Sequence, residues 1–325
     1  MRLPNQWRSS TPGQAEGGEA VLPPYGVRLL RDLRRNRFVY MMALPVVAYY
    51  IIFHYMPIYG LQIAFRDYSP SIGFLQSPFV GFKHFLAFFD SYYFWRLIKN
   101  TLLINVYELL FGFPMPIVFA LLLNEIRLSL FKRLVQTISY LPHFISVVII
   151  AGMITDFTTR DGLINQLIVM FGGDAIPFLQ KPEWFKTIYV GSGIWQGLGW
   201  SAIIYLAAIA NIDPTLYEAA KVDGAGRLKM ALHITLPGIL PIVIIMLILN
   251  FGSMMSVGHE KIILLYNPLT YSSADVISTY VYRKGILESS YSFSTAVSLF
   301  NSVINFTLLV LANKISRRVS ETSLW

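Results

Sequence analysis

Residues 211–237 read NIDPTLYEAAKVDGAGRLKMALHITLP, a polar stretch set between two strongly apolar blocks. Asp213 followed by Pro214 opens a helix, with aspartate as the N-cap and proline at the first helical position, where its missing N–H does no harm. Leu216, Tyr217, Ala220 and Val222 give that helix an apolar side, and Ala219 and Ala220 keep it slim. Asp223-Gly224 ends it, because glycine enters the left-handed conformation that terminates helices. A second amphipathic piece over 227–234 then leads to Leu236-Pro237 and the next apolar run. The expectation is a short helix over 216–226, a tight turn and a tether into the next apolar run.

Outward from this loop the chain is apolar. Of its 325 residues 55% are hydrophobic and only 14% charged, and mean hydropathy is +0.54. A soluble domain of this length needs more charge to cover its surface. Six apolar blocks, 38–59, 97–123, 135–155, 188–210, 238–257 and 293–312, each reach bilayer-crossing length. The net charge of +8 belongs to basic residues scattered among these blocks, which excludes a continuous nucleic-acid groove. Counted over alternate loops, sixteen Lys and Arg fall on the side holding both termini and the 211–237 loop, and nine on the other. Both termini are therefore expected in the cytoplasm. With no cysteine, disulfides and thiolate metal sites are excluded.

The remaining segments divide as follows. Residues 1–26 are expected to be a disordered cytoplasmic tail, since their polar, Gly- and Pro-rich composition offers little apolar surface against ordering entropy. They lack a cleavable signal peptide. Residues 27–37 alternate Arg and Leu at helical spacing and suit either an amphipathic helix on anionic membrane or a positive flank that fixes orientation. Residues 38–312 form the transmembrane domain, and 313–325 a cytoplasmic tail. Three long outer loops, 60–96, 156–187 and 258–292, carry aromatics such as Phe82, Phe85, Phe88, Trp184 and Tyr280, expected mainly in an interfacial belt.

Glu218-Ala219-Ala220, then Gly224 within Asp223-Gly224-Ala225, then Ile234 and Leu236-Pro237 resemble the complete EAA motif of the membrane subunits of binding-protein-dependent ABC importers. The resemblance runs from about residue 38 to the end and is nearest to the carbohydrate-uptake class, in which the Arg-rich start and six-span layout are similar to permeases for complex oligosaccharides, alginate importers among them. It implies an all-α polytopic protein of six transmembrane helices with the type I importer fold, a five-helix core in spans two to six, and span one wrapping a neighbour. It implies four kinds of partner: a second, homologous permease, two ATPases, an extracytoplasmic solute-binding protein, and membrane lipid. It places the chain in the bacterial plasma membrane. Tyr217, Glu218, Ala219, Ala220, Asp223, Gly224 and Ala225 become the ATPase-coupling residues. The chain has no G-x-x-x-x-G-K-[ST] loop, so ATP and Mg are expected on partner subunits, with no cofactor and no catalytic or metal site here.

Sugars are held by aromatic faces and by amide or hydroxyl hydrogen bonds, and polar groups in membrane spans face cavities. Trp195, Gln196 and Trp200 in span four and Asn250 and Ser253 in span five are the candidate pathway residues, with Asn301 and Asn305 behind them; helix–helix packing is the competing role. Glu108 is the one carboxylate well inside a span. It fits a bundle-facing hydrogen-bonding group better than the proton site of a secondary carrier, which would leave the EAA motif unexplained. No H-E-x-x-H or G-x-S-x-G is present to suggest an intramembrane enzyme.

Overall fold

The computed structural model describes residues 35–319 and 322–324; the 1–26 tail and most of the basic 27–37 segment lie outside them. Among the described residues the chain is helical, with one isolated antiparallel bridge, Arg66 to Phe79. Two units are distinguished, one ending at Gly60 and one beginning at Leu61. The first holds the helix Arg37–Tyr50, which passes Pro45 and buries no residue, and then the wide turn Ile51–Tyr55. Apolar side chains all round a helix are the pattern of a surface made for lipid or another apolar partner.

In the second unit four helices are long and apolar enough to cross a bilayer: span two Phe94–Glu125, span four Pro182–Ala210, span five Arg227–Gly252 and span six Tyr291–Arg318. Span two widens into a π-turn at Glu108–Gly112 just before Pro114. Proline has no N–H and crowds the carbonyl four residues back, and a wide turn relieves both problems.

The apolar block expected at 135–155 is broken in the structure rather than one continuous helix. Helices Ser129–Phe144 and Val147–Met170 meet at a bend of 101°. Pro142 sits in the short 3-10 turn Leu141–Phe144, Ile145 is extended, and Ser146 caps the next helix by accepting from the Ile149 amide at 3.4 Å. The bent pair counts as a sixth crossing only if its halves are taken as one span. The ends of other spans shift too. The piece beginning at Arg227 is not a separate segment but the first turns of span five, joined through the π-turn Ala231–Thr235. The last helix runs on to Val319, past the expected end at 312.

Three buried clusters hold the unit together. Ile117, Ala120, Ala202, Tyr205, Ile209 and Ile239 join spans two, four and five. Ile104, Phe185, Val257, Ile262 and Val276 pack the loop after span five onto spans two and four. Phe88, Leu97, Ile277, Tyr280 and Val297 close the end near span six. Part of the expected aromatic belt is therefore core: Phe88 is buried and packs edge-on against Phe94 and Phe300. Other rings, Phe79 and Phe82 among them, stay exposed.

Span four also packs backbone to backbone. Gly199 is buried, and a Cβ there would be driven into the Ser139 carbonyl and hydroxyl. Overpacking a tight contact costs about 1–3 kcal/mol. Gly199→Val is therefore expected to lower the melting temperature of the purified protein visibly, whereas Gly191→Ala, whose Cβ meets open space, is expected to leave it unchanged; thermal-shift fluorescence reads both.

Candidate coupling loop and translocation cavity

Asp213 caps the helix Pro214–Val222 by accepting from the Thr215 amide at 2.9 Å, and this bond holds its carboxyl below the ordinary range. At the other end the Gly224 amide donates to the Lys221 carbonyl at 3.1 Å and the Ala225 amide to the Ala220 carbonyl at 2.8 Å. This crossed pair is a Schellman cap, with Ala220 three residues inside the helix and Gly224 in the left-handed position at φ +74. The spacing of Ala220, Gly224 and Ala225 is thus the spacing of a helix stop. The helix ends at Val222, short of the expected 226.

One hydrogen bond ties this helix to the bundle, and an ion pair ties the foot of span five to span two. The Tyr217 hydroxyl and Thr235 Oγ1, at the buried base of span five, share a hydrogen bond at 2.9 Å. Arg227 Nε lies 3.9 Å from Glu125 Oε2 at the end of span two. The other face is open: Leu216 is exposed, Leu228 more so, and Val222 is 88% exposed. Glu218 and Ala219 are exposed beside them, as is Asp223, and among the described residues Glu218 has no ion-pair partner.

Between spans two, four and five lies a cavity of about 580 Å³ walled by Glu108, Phe113, Tyr189, Gln196, Trp200, Tyr205, Asn250 and Lys261, among others. The structure brings Gln196, Trp200 and Asn250 together there and leaves Trp195 and Ser253 out. Trp195 is five residues from Trp200, about 140° around the helix, and is exposed elsewhere. Ser253 follows the last turn of span five and donates back to the Asn250 carbonyl at 3.0 Å. Trp200 stacks one ring face on His143 at 4.4 Å, and Gln196 reaches the Ile145 carbonyl at 3.4 Å, so the break in the bent pair supports this wall. Asn305 accepts from the Met255 amide and donates to Ser256 Oγ, both at 2.8 Å, holding the chain that leaves span five. Asn301 lines a separate groove with His259 and Tyr282.

Lys261 is the cavity residue that sequence reasoning missed. It sits on the helix His259–Leu265, folded back into the bundle, and donates to the Tyr189 carbonyl at 3.2 Å. Burial pulls its ammonium down to about 8, against the opposing pull of Glu108.

A family model described as the binding-protein-dependent transport system inner membrane component matches residues 112–321, the stretch holding both the capped loop and most of the cavity wall. The chain belongs to this family. Among its relatives, the polygalacturonan/rhamnogalacturonan transport system permease protein YteP of Bacillus subtilis (strain 168) is 46% identical over 92% of this chain and 93% of that protein. Protein LplB of the same organism is 44% identical over 92% of this chain and 95% of its own length. Among solved structures, a bacterial ABC transporter involved in the import of the acidic polysaccharide alginate has a chain 46% identical, with a TM-score of 0.83 over 90% of this chain and 99% of that one. The same fit, with a TM-score of 0.84 at 45% identity over 91% of this chain and 100% of that one, is found in the alginate transporter complexed with a periplasmic protein carrying an alginate pentasaccharide. The type I importer permease fold follows.

In this inner membrane component the loop between spans five and six is locked to span two by one buried carboxylate. Asp275 is fully buried. Arg283 donates to both its oxygens at 2.8 Å, Arg96 to Oδ2 at 2.9 Å, and Thr279 to Oδ1 at 2.9 Å. Asn100 donates to the Ser272 and Asp275 carbonyls at 3.0 Å, and Thr101 accepts from the Ile277 amide at 3.1 Å. The fork geometry of arginine satisfies a carboxylate in this way without water, and the latch carries Lys261 with it to the cavity wall.

Proposed function

We propose that this chain is a transmembrane subunit of an ATP-driven importer that forms half of the pathway for an oligosaccharide handed over by a solute-binding protein. The observation that carries the reading is the capped helix Pro214–Val222: fastened to span five through Tyr217 on one side, it leaves Leu216, Glu218 and Val222 open on the other. That surface suits a groove on a cytoplasmic ATPase, with Glu218 meeting a basic side chain. Closure of an ATPase pair pushes the helix, and through Tyr217–Thr235 and Arg227–Glu125 the push reaches spans five and two. The chain holds no nucleotide loop of its own, so hydrolysis belongs to partner ATPases, which also hold ATP and Mg. A second permease supplies the other half of the pathway. The excess of Lys and Arg beside the capped loop supports a bacterial inner-membrane protein with this loop and both termini on the cytoplasmic side.

The cavity suits a saccharide. Trp200 offers the ring face not stacked on His143, and Gln196, Asn250 and Ser201 offer hydrogen bonds. The relatives that import alginate and polygalacturonan support an oligosaccharide as the load.

The chain has no cysteine, so Val222→Cys gives a single reactive thiol on the open face. A short thiol-to-amine cross-linker is expected to join it to the ATPase subunit in the assembled complex. A complex that imports sugar yet never yields this cross-link refutes the docking assignment.

A further inference from the structure

Another cavity of about 580 Å³ shares no lining residue with the one between spans two, four and five. It lies at the opposite end of span two from the capped loop. Ser91 in its wall stands just before Phe94, the first residue of that span, and Glu125, beside Arg227, is the last. One wall is the lobe around Asp67, Tyr68 and His84; the other is the turn from the latch into span six, with Tyr280, Ser290 and Tyr291. The Tyr68 amide donates to Ser292 Oγ at 2.9 Å and joins the two walls. The turn itself is tight. The Glu288 amide donates to the Arg283 carbonyl at 2.9 Å and the Ser290 amide to the Lys284 carbonyl at 2.8 Å, which leaves Ser289 between them in the left-handed region at φ +54. Residues other than glycine rarely sit there, and such outliers gather at functional sites.

The charges at this cavity are paired within the chain. Asp67 accepts from Lys83 at 2.7 Å and from His84 at 2.9 Å, and Lys284 donates to Glu288 at 2.6 Å. The Lys83 ammonium holds the Asp67 carboxyl below the ordinary range, and Glu288 holds the Lys284 ammonium above its own. The hydroxyls are in the opposite state. Tyr280 is only 5% exposed and packs against Phe88 and Phe293, yet its hydroxyl has no hydrogen-bond partner among the described residues. A buried tyrosine ordinarily finds one. Nor is this hydroxyl sealed in: among the described residues the side-chain atoms sealed in without a partner are Arg96 Nε and Asn301 Oδ1. It opens on the cavity that Tyr280 lines. The side-chain hydroxyls of Tyr291, Ser289 and Ser290, in the same wall, likewise make no hydrogen bond among the described residues.

We propose that this cavity is a saccharide site of its own, apart from the translocation cavity, that takes uncharged pyranose rings of the incoming oligosaccharide through hydroxyl hydrogen bonds. A hydroxyl both donates and accepts, and so does each hydroxyl of a sugar ring. Tyr68 and Tyr291, whose ring centres stand 6.2 Å apart, add the aromatic surface that ligand sites combine with a few placed polar groups. A charged peptide segment finds no unpaired charge here. The proposal rests on the oligosaccharide reading above, and in the orientation given there the site faces the side from which the load arrives. Tyr280 also ties the site to the latch, since the Arg283 guanidinium lies 5.9 Å from its ring centre.

The test uses the absence of cysteine from the native chain. Ala87→Cys places a single thiol in this cavity and Ile204→Cys one in the translocation cavity, both at exposed positions. Each variant is assembled with its partner subunits in lipid nanodiscs, and alkylation of this chain by a small thiol reagent is timed by mass spectrometry. The probes are a uronic-acid tetrasaccharide in its methyl-esterified, uncharged form, the same tetrasaccharide as the free acid, and the sugar-free binding protein. The ester is expected to slow alkylation of Ala87→Cys about tenfold when present at about ten times its Kd, and the acid to protect equally, because the site reads no charge. Adding Tyr280→Phe is expected to raise the ester concentration needed about fivefold, the size of one neutral hydrogen bond. The melting temperature is expected to stay unchanged, because the ring and its packing remain. Protection of Ile204→Cys with none of Ala87→Cys overturns the outer site while the oligosaccharide reading stands. Protection of Ala87→Cys by the acid alone, or by the sugar-free binding protein and neither sugar, overturns it as well: the cavity is then a site for charge or a docking socket for protein. Protection that Tyr280→Phe leaves unaltered also overturns it, because the free hydroxyl then binds nothing. If neither thiol is protected by either sugar, the oligosaccharide reading itself fails and the outer site with it.

Discussion

Glu218→Lys is expected to abolish ATP-driven uptake while leaving the permease folded. Glu218 is exposed and without an ion-pair partner among the described residues, so the fold loses nothing by the exchange. The docked complex loses a charge-assisted contact and gains a like-charge repulsion. Breaking one side of a buried interfacial charge pair costs about 2–5 kcal/mol, at least about thirtyfold in assembly affinity. Co-purification of the ATPase with the variant, beside its thermal stability, separates the two effects; normal uptake by Glu218→Lys removes Glu218 from the coupling surface. Gly224 gives a graded companion. At φ +74 a β-branched side chain is strained and asparagine is tolerated best. Gly224→Val is therefore expected to reduce uptake much more than Gly224→Asn, and equal behaviour of the two removes the turn from the mechanism.

The second large effect lies at the latch. Asp275→Asn keeps the shape of the side chain and removes the charge that Arg96 and Arg283 share. Leaving a buried charge without its partner costs about 3–5 kcal/mol, so the variant is expected to be recovered poorly and to melt far below wild type. Thr279→Val removes one neutral donor from the same carboxylate and is expected to cost only about 1 kcal/mol. Size-exclusion profiles after graded heating give both values. A wild-type melting curve for Asp275→Asn contradicts the reading of this cluster as what holds the loop after span five in place.

The parts of the molecule legible in the sequence are those whose physics is local. The Asp213-Pro214 start and the Gly224 stop are fixed by hydrogen bonds spanning two to five residues, and the capped helix appears within a few residues of its expected bounds. The apolar blocks likewise reveal the long helices. The bend between Phe144 and Val147 did not emerge because a hydropathy window averages across it, although Pro142 and the cap residue Ser146 stood in the sequence as its local signs. The cavity was half legible. Helical spacing alone separates Trp195 from Gln196 and Trp200. Nothing local tells that Lys261, in a loop counted as exterior, folds back against Tyr189, 72 residues earlier. The latch is beyond sequence reasoning for the same reason, since Arg96 and Asp275 are 179 residues apart and meet only once the bundle has packed.

The most direct measurement of the central claim is ATP hydrolysis by the assembled complex in lipid, with the binding protein present and oligosaccharides added one class at a time. The account predicts that one class of oligosaccharide stimulates hydrolysis and that this stimulation disappears with Glu218→Lys and with Gly224→Val. If no ATPase assembles with the chain and uptake follows an ion gradient instead, the account is contradicted, and Glu108, the carboxylate in the cavity wall, becomes the residue through which transport must be explained.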